Sequence, residues 1–177
     1  MGDLTLVLGG SASGKSETAE RLAGSLDGPV TYLATMVPGD GETLRRIERH
    51  RRRRPAVWTT VEEATRLAAA VDRCGQNGGV VLIEDLTTWL ANLLIDLPEG
   101  GGGEEDVLRS VAEVLAAVER CTARVVMVAD EVGWGLVPPY PLGRTFRDLA
   151  GRANQMAAAR AKRVYLVVAG LRLPLKE

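Results

Sequence analysis

The sequence predicts an α/β fold: a mostly parallel sheet with helices on both faces. Three observations predict it. Short apolar runs recur along the chain, with helical patterns between them. Some runs are continuous, as in Val80-Val81-Leu82-Ile83, which suits a strand covered on both faces. The first run, Leu4 to Leu8, leads into Gly9-Gly10-Ser11-Ala12-Ser13-Gly14-Lys15-Ser16 and then into a helical segment. Strand, glycine loop and helix in that order give the pattern G-x-x-x-x-G-K-S the context of a phosphate-binding loop, or P-loop.

The loop chemistry follows from its residue types. Gly9, Gly10 and Gly14 let the backbone bend so that several N–H groups face one anion. The helix N-terminus adds partial positive charge. Lys15 is expected to reach the terminal phosphates, and Ser16 to hold Mg²⁺. The chain is therefore expected to bind a nucleoside triphosphate.

The remaining elements read in order. Glu17 to Ser25 is a helix, and Val30 to Ala34 a second strand. Val37 to Gly41 is a turn by its Pro and Gly content. Glu42 to Arg53 has helical character and stops before Pro55. Val61 to Arg73 places Ala64, Leu67, Ala68 and Val71 at helical spacing, with Thr60 as a possible cap. Val80 to Ile83 is a strand and Thr87 to Ile95 a helix. Leu97 to Gly103, with four glycines, reads as a mobile surface loop; with no strand before it, it makes no second phosphate loop. Glu104 to Cys121 is a long amphipathic helix, and Arg124 to Ala129 a strand. Asp130 to Pro141 is a loop, Leu142 to Lys162 a helix, and Val164 to Val168 the last strand.

Bulk properties bound the function. At 177 residues, with 46% hydrophobic and 25% charged content, the chain reads as one globular domain spanning 1–177. Its net charge of −1 gives no global field favouring nucleic acid or anionic membrane. No apolar run approaches the roughly 20 residues of a membrane span, and no signal peptide precedes the first strand. Cys74 and Cys121 lack metal or redox spacing and read as unpaired thiols of a reducing compartment. A cytoplasmic location is the expectation.

A P-loop alone specifies binding, not a reaction. A second metal-side group is expected at the end of another strand, and Glu84-Asp85 follows Val80 to Ile83. Either acid suits Mg²⁺. The single histidine, His50, lies within the basic run Arg45 to Arg54. Composition alone favours a solvated face or a nucleic-acid patch. The chemistry offers another reading. An imidazole is largely neutral near pH 7, and surrounding positive charge favours that form. Beside phosphate-binding arginines it can attack phosphorus and form a covalent intermediate.

GGSASGKS, YLAT, RIERH followed by RRRRP, VWTTVE, LIEDLTTWLANLL, DEVGWGLVP and FRDLAGRANQ occur in this order over nearly the whole chain. Together they resemble the bifunctional adenosylcobinamide kinase/adenosylcobinamide-phosphate guanylyltransferase family of cobalamin biosynthesis. The resemblance implies a parallel-sheet P-loop fold, usually as a homotrimer. It implies phosphorylation of adenosylcobinamide by a nucleoside triphosphate, ATP or GTP. It then implies GMP transfer from GTP, through a guanylyl-histidine, to the substrate phosphate. His50 falls at the position of that histidine.

The same resemblance implies that Gly9 to Ser16 hold triphosphate and that Ala34, Thr35 and Met36 lie beside nucleotide. Arg51, Arg52, Arg53 and Arg54 follow the histidine and are expected to contact nucleotide. Glu62 and Glu84 fall at nucleotide-contacting positions, with Ser16 and Glu84 on the metal side. Glu62 can accept hydrogen bonds from the guanine N1–H and amino group; its plain alternative is an acid at a helix N-terminus. Arg49 stands where many relatives carry a second histidine, and Asp130 where Asn is common. Trp134 and its apolar neighbours either cap the core or face the corrinoid. Arg152, Asn154 and Gln155 are a polar helix face or a subunit contact.

Rival functions fit less of the chain. A plain P-loop kinase leaves His50 idle. A GTPase switch would use Asp148-Leu149-Ala150-Gly151, but that segment is helical in pattern and no N-K-x-D follows. An RNA-binding module would need stacking aromatics, which make up only 4% of the chain.

Overall fold

The computed structural model describes residues 2–39, 41–96 and 103–177. The expected loop over Leu97 to Gly103 lies, but for its last residue, outside them. Among the described residues seven strands form one sheet in the order β3-β2-β4-β5-β1-β6-β7. They are β1 (Asp3–Gly9), β2 (Val30–Ala34), β3 (Thr59–Glu62), β4 (Val80–Glu84), β5 (Arg124–Asp130), β6 (Arg163–Val168) and β7 (Leu171–Lys176). The helices are α1 (Lys15–Ser25), α2 (Gly41–Arg53), α3 (Leu67–Cys74), α4 (Leu86–Ile95), α5 (Glu104–Arg120) and α6 (Pro141–Arg160). Strands β1 to β6 are parallel, and β7 returns antiparallel to β6.

The pleat sorts the core. Leu4, Leu6 and Leu8 of β1 point to one face, where α3, α4, α5 and α6 bring Leu67, Trp89, Val111, Leu115 and Leu149. Val7 points to the other face, where Ala19 and Ala23 of α1 meet Tyr32, Leu82 and Val128. Small residues on α1 bring that helix close to the sheet. This fixes the end of the glycine loop against the strand that precedes it.

The structure corrects one expected element. Val61 to Arg73 is not one helix. Thr59-Thr60-Val61-Glu62 pairs with β2, with Thr31 opposite Thr59 and Ala34 opposite Glu62. The β-branched residues suit that edge strand, so Thr60 lies inside a strand and caps nothing. The Glu63 carboxylate then accepts the N–H groups of Thr65 and Arg66, at 3.2 and 2.9 Å, and turns the chain into α3. Glu62 is therefore a strand-end residue, and its reading as a helix N-terminal acid is excluded.

Strand β7 was not anticipated, because Pro174 interrupts its run. Proline is tolerated there since β7 is an edge strand and pairs only with β6.

Leu6 is fully buried in the main cluster. Leu6→Ala is expected to cost about 2–5 kcal/mol of stability. Urea unfolding followed by circular dichroism measures it; a loss below about 1 kcal/mol would contradict this packing.

Candidate active site

Strand register assembles the site. Glu62 lies opposite Ala34, Ala34 opposite Glu84, and Asp130 opposite Gly9. These residues share the carboxyl edge of the sheet, where open α/β sheets bind ligands.

The glycine loop is shaped by close approach. Gly14 has φ 91° and stands at the start of α1. A Cβ on Gly9 would lie 2.8 Å from the Val167 carbonyl oxygen. Lys15 is buried, donates from Nζ to the Gly10 carbonyl at 3.2 Å, and pairs with the Asp130 carboxylate. Ser16 donates from Oγ to Glu84 Oε1 at 2.5 Å.

Glu84 is buried, and its Oε2 has no hydrogen-bond partner among the described residues. Burial, with the nearby Asp85 charge adding to it, pushes the Glu84 carboxyl up to about 8. A serine hydroxyl beside a carboxylate with an unfilled oxygen is a donor set that suits Mg²⁺ next to a triphosphate. A divalent charge there would offset the desolvation of the carboxylate. Among the described residues no cluster of three His, Cys, Asp or Glu forms a metal site. Phosphate oxygens and water would therefore complete the shell.

Three side chains hold Glu84 in place from behind. The fully buried Thr35 hydroxyl contacts the Glu84 and Asp85 carbonyls at 3.1 and 2.8 Å and accepts the Asp85 N–H at 2.8 Å. Asn92 donates to the Thr35 and Ala64 carbonyls. Asp85 caps α4 by accepting the Thr88 N–H at 2.6 Å and the Thr88 hydroxyl at 2.9 Å. Of the two acids considered for the metal side, Asp85 is thus engaged by α4, while Glu84 meets Ser16.

Helix α2 lies over this edge. His50 is 14% exposed; its Nδ1 is 3.4 Å from the Tyr32 hydroxyl and 4.0 Å from Glu84 Oε1. Burial pushes the Tyr32 phenol up, so it stays protonated. The Arg54 guanidinium stacks 3.3 Å from the centre of the Tyr32 ring. Arg53 pairs with Glu17 and, at 3.2 Å, with Glu20, tying α2 to α1.

Two recesses meet at His50. The first is a groove along Ser11, Ala12, Ser13, Gly14, Lys15 and Ser16, closed by Arg49 and Arg53. The second is a smaller cavity between Tyr32, Ala34, Met36, Ile47, Arg51, Arg54, Glu62 and Glu84. Most residues singled out from sequence line one or the other. Thr35 lines neither; its side chain supports Glu84. Arg52 is placed outside the site. It is 77% exposed and pairs with Glu48 one helical turn earlier, at 2.9 Å, because consecutive arginines on a helix cannot share a face. Sequence reading missed Tyr32 and the Lys15–Asp130 pair, which depend on contacts across the sheet. Asn154, left open before, is buried and donates to the Asp130 carbonyl at 3.1 Å. Asp148 lies within α6, as the rejection of a GTPase switch requires.

Comparison with known proteins decides the family. The family model "CobU: Cobinamide kinase / cobinamide phosphate guanyltransferase" matches residues 5–175. The chain belongs to the CobU family. The bifunctional adenosylcobalamin biosynthesis protein CobP of Pseudomonas aeruginosa is 44% identical over 172 residues, covering 97% of this chain and 96% of its own. CobU of Escherichia coli is 41% identical, covering 98% and 99%. CobU of Salmonella typhimurium is 41% identical over the same shares. This CobU-family chain is accordingly a bifunctional kinase and guanylyltransferase of cobalamin biosynthesis. The P4 protein of bacteriophage phi13 shares the fold, with a TM-score of 0.51 at 15% identity. The likeness covers 97% of this chain, which spans about half (53%) of that protein.

Thr35→Val removes the hydroxyl behind Glu84. It is expected to cost about 1–3 kcal/mol in denaturant unfolding, since the Asp85 N–H is left buried without a partner. Arg52→Ala is expected to change stability by less than about 0.5 kcal/mol and to leave both activities near the unmodified level. Equal effects of the two substitutions would contradict this division of roles.

Proposed function

We propose that this CobU-family chain runs both reactions at the one sheet edge, with His50 carrying GMP between them. The observation that supports this most is the position of His50, shared by the phosphate groove and the adjoining cavity.

In the first reaction the hydroxyl of adenosylcobinamide attacks the γ-phosphorus of ATP or GTP; an O–P bond forms, the bond to the β,γ-bridging oxygen breaks to release the nucleoside diphosphate, and the hydroxyl proton passes to solvent. The loop N–H groups and Lys15 stabilise the charge on the phosphates. Ser16 and Glu84 would hold Mg²⁺, which offsets charge on the triphosphate when bound. In the second, His50 attacks the α-phosphorus of GTP; a P–N bond forms and the bond to pyrophosphate breaks. Nδ1–H donating to the Tyr32 oxygen would leave the lone pair on Nε2 for that attack. The ring keeps its Nδ1 proton through the intermediate and can therefore leave as neutral imidazole. A phosphate oxygen of adenosylcobinamide phosphate then attacks the same phosphorus, the P–N bond breaks, and adenosylcobinamide-GDP is released.

The cavity residues fit the remaining parts of the nucleotide. Glu62, at the end of β3, has acceptors for the guanine N1–H and amino group. It now pairs with Arg51 at 3.0 Å, an exposed and weakly held contact that a base can displace. Arg53, Arg54 and Arg49 supply positive charge around the phosphates. Ala34 and Met36 give an apolar wall.

The assembly proposed for this chain is a homotrimer. Leu171, Leu173 and Leu175 on edge strand β7 are all exposed and alternate onto one face, which supports association. Light scattering of purified protein should return three times the mass of 18.9 kDa; a monomer mass would overturn this part. We assign the reactions to the cytoplasm, where GTP and ATP are available. Among the described residues no helix is long and apolar enough to cross a membrane.

The covalent step has a direct test. Incubation with α-³²P-GTP and Mg²⁺ should leave acid-labile, base-stable label on the protein. His50→Ala should abolish the label and guanylyl transfer while retaining phosphorylation of adenosylcobinamide. Label that persists in His50→Ala sinks the covalent role, and complete absence of label in the unmodified protein leaves a P-loop kinase. Glu84→Gln should raise the Mg²⁺ concentration needed for half-maximal phosphorylation by about tenfold or more. An unchanged Mg²⁺ titration would remove Glu84 from the metal side.

A further inference from the structure

The groove and the cavity account for nucleotide, but not for the macrocycle that receives the phosphoryl group. We propose that the segment 131–140, between β5 and α6, is the docking platform for the corrin ring of adenosylcobinamide. This rests on the reading above, in which the acceptor is phosphorylated beside Lys15.

The segment begins at the site itself. Asp130 pairs with Lys15, and the Glu131 N–H donates to the Gly9 carbonyl at 3.0 Å. Four residues on stands Trp134, which an extended chain places at most about 14 Å from Asp130. Trp134, Leu136, Val137 and Tyr140 are 74%, 96%, 65% and 74% exposed. They do not cap the core. The stretch 132–141 carries no charged side chain, in a chain that is 25% charged. Exposed large apolar side chains concentrated in one short segment mark a binding site more often than scattered single ones do.

The exposure is built in. Arg144 donates from Nη1 to the Pro138 and Pro139 carbonyls, at 3.1 and 2.8 Å. Gly143 abuts Pro138 so closely that a Cβ there would sit 2.8 Å from the proline Cβ. Near the other end, the Glu131 carboxylate accepts the Gly133 N–H at 2.9 Å, and Val132 packs on the core. A segment pinned at both ends holds its apolar side chains in water at little further ordering cost on binding.

The acceptor matches this surface in chemistry. It is a large conjugated ring with a flexible arm that ends in the reacting hydroxyl. The ring needs an apolar platform within the arm's reach of the transferred phosphoryl group. Indole and phenol rings stack on such a face, and their polar tips meet the amides at its rim. A second copy of this chain is the competing occupant.

Full-length Trp134→Ala and Trp134→Phe test the proposal. Adenosylcobinamide binding is measured by equilibrium dialysis without nucleotide, and its KM in both reactions. Trp134→Ala is expected to weaken corrinoid binding and raise both KM values by about tenfold or more. Trp134→Phe should restore most of the loss. Guanylylation of His50 by GTP alone, which involves no corrinoid, should stay within twofold. Corrinoid binding unchanged within twofold overturns the platform. So does a change of oligomeric mass in Trp134→Ala, which assigns the surface to a second copy. Failure of the unmodified protein to phosphorylate adenosylcobinamide would count against the functional reading instead, and dialysis would still decide the platform.

Discussion

The buried contact between Ser16 and Glu84 is the constraint on which the rest of the site depends. It joins the first turn of α1 to the end of β4 across the intervening strand β5. A carboxylate removed from water at that point is unfavourable unless something compensates it. One Ser16 hydrogen bond satisfies one oxygen and leaves the other without a partner among the described residues. The backbone around it is therefore fixed by neutral groups, Thr35 and Asn92, which add no charge to the pocket. On the proposed reading such a pocket would favour a cation and a polyanion bound together over either alone.

Helix α2 extends the same logic to positive charge. Its arginines repel one another, and exposed ion pairs offset that only weakly. Arg53 is the exception, since it is half-buried between Glu17 and Glu20 and anchors the helix to α1. Arg49, Arg51 and Arg54 remain around the recesses, Arg51 against the exposed Glu62 and Arg54 over the Tyr32 ring. On the proposed reading a bound triphosphate would relieve their repulsion, which would couple nucleotide binding to the seating of His50 through charge. Among the described residues the helix brings Ile47, His50 and Arg51 to the cavity, and Arg54 just past its end stacks on Tyr32. Its position is thus set more by the site than by a hydrophobic core.

Much of this arrangement was legible in the sequence, where the signals are local. The glycine loop, the continuous apolar strands and the acid after Val80 to Ile83 are short-range patterns, and the structure keeps them in the expected order. Thr59 to Glu62 was not legible as a strand. Four residues carry too little alternation to outweigh the helical spacing of Ala64, Leu67, Ala68 and Val71. The sides taken by Arg51 to Arg54 were equally hidden, because they depend on how α2 is rotated over the sheet. The pairing of Lys15 with Asp130, far apart in the chain, follows from strand order alone: β5 lies next to β1. Asn154 could be read as a surface amide until α6 was seen to carry it beneath the Asp130 carbonyl.

Strand order also explains how one small domain can serve two phosphorus atoms of a nucleotide. Strands β5 and β1 bring Asp130 and the glycine loop together, and on the proposed reading this side would take the terminal phosphate. Strands β4, β2 and β3 bring Glu84, Ala34 and Glu62 into one row beneath α2, and on the same reading this side would take the base and the α-phosphate. The two sides are contiguous because β4 and β5 are neighbours. His50 stands above the β4–β2 boundary, near Tyr32 and Glu84, so the proposed transfer through its imidazole would need no second nucleotide fold. The acceptor must then approach from the side that α2 leaves uncovered. The segment after Asp130 leaves the end of β5 beside the glycine loop, so on the proposed platform the order of strands would set where the corrinoid enters.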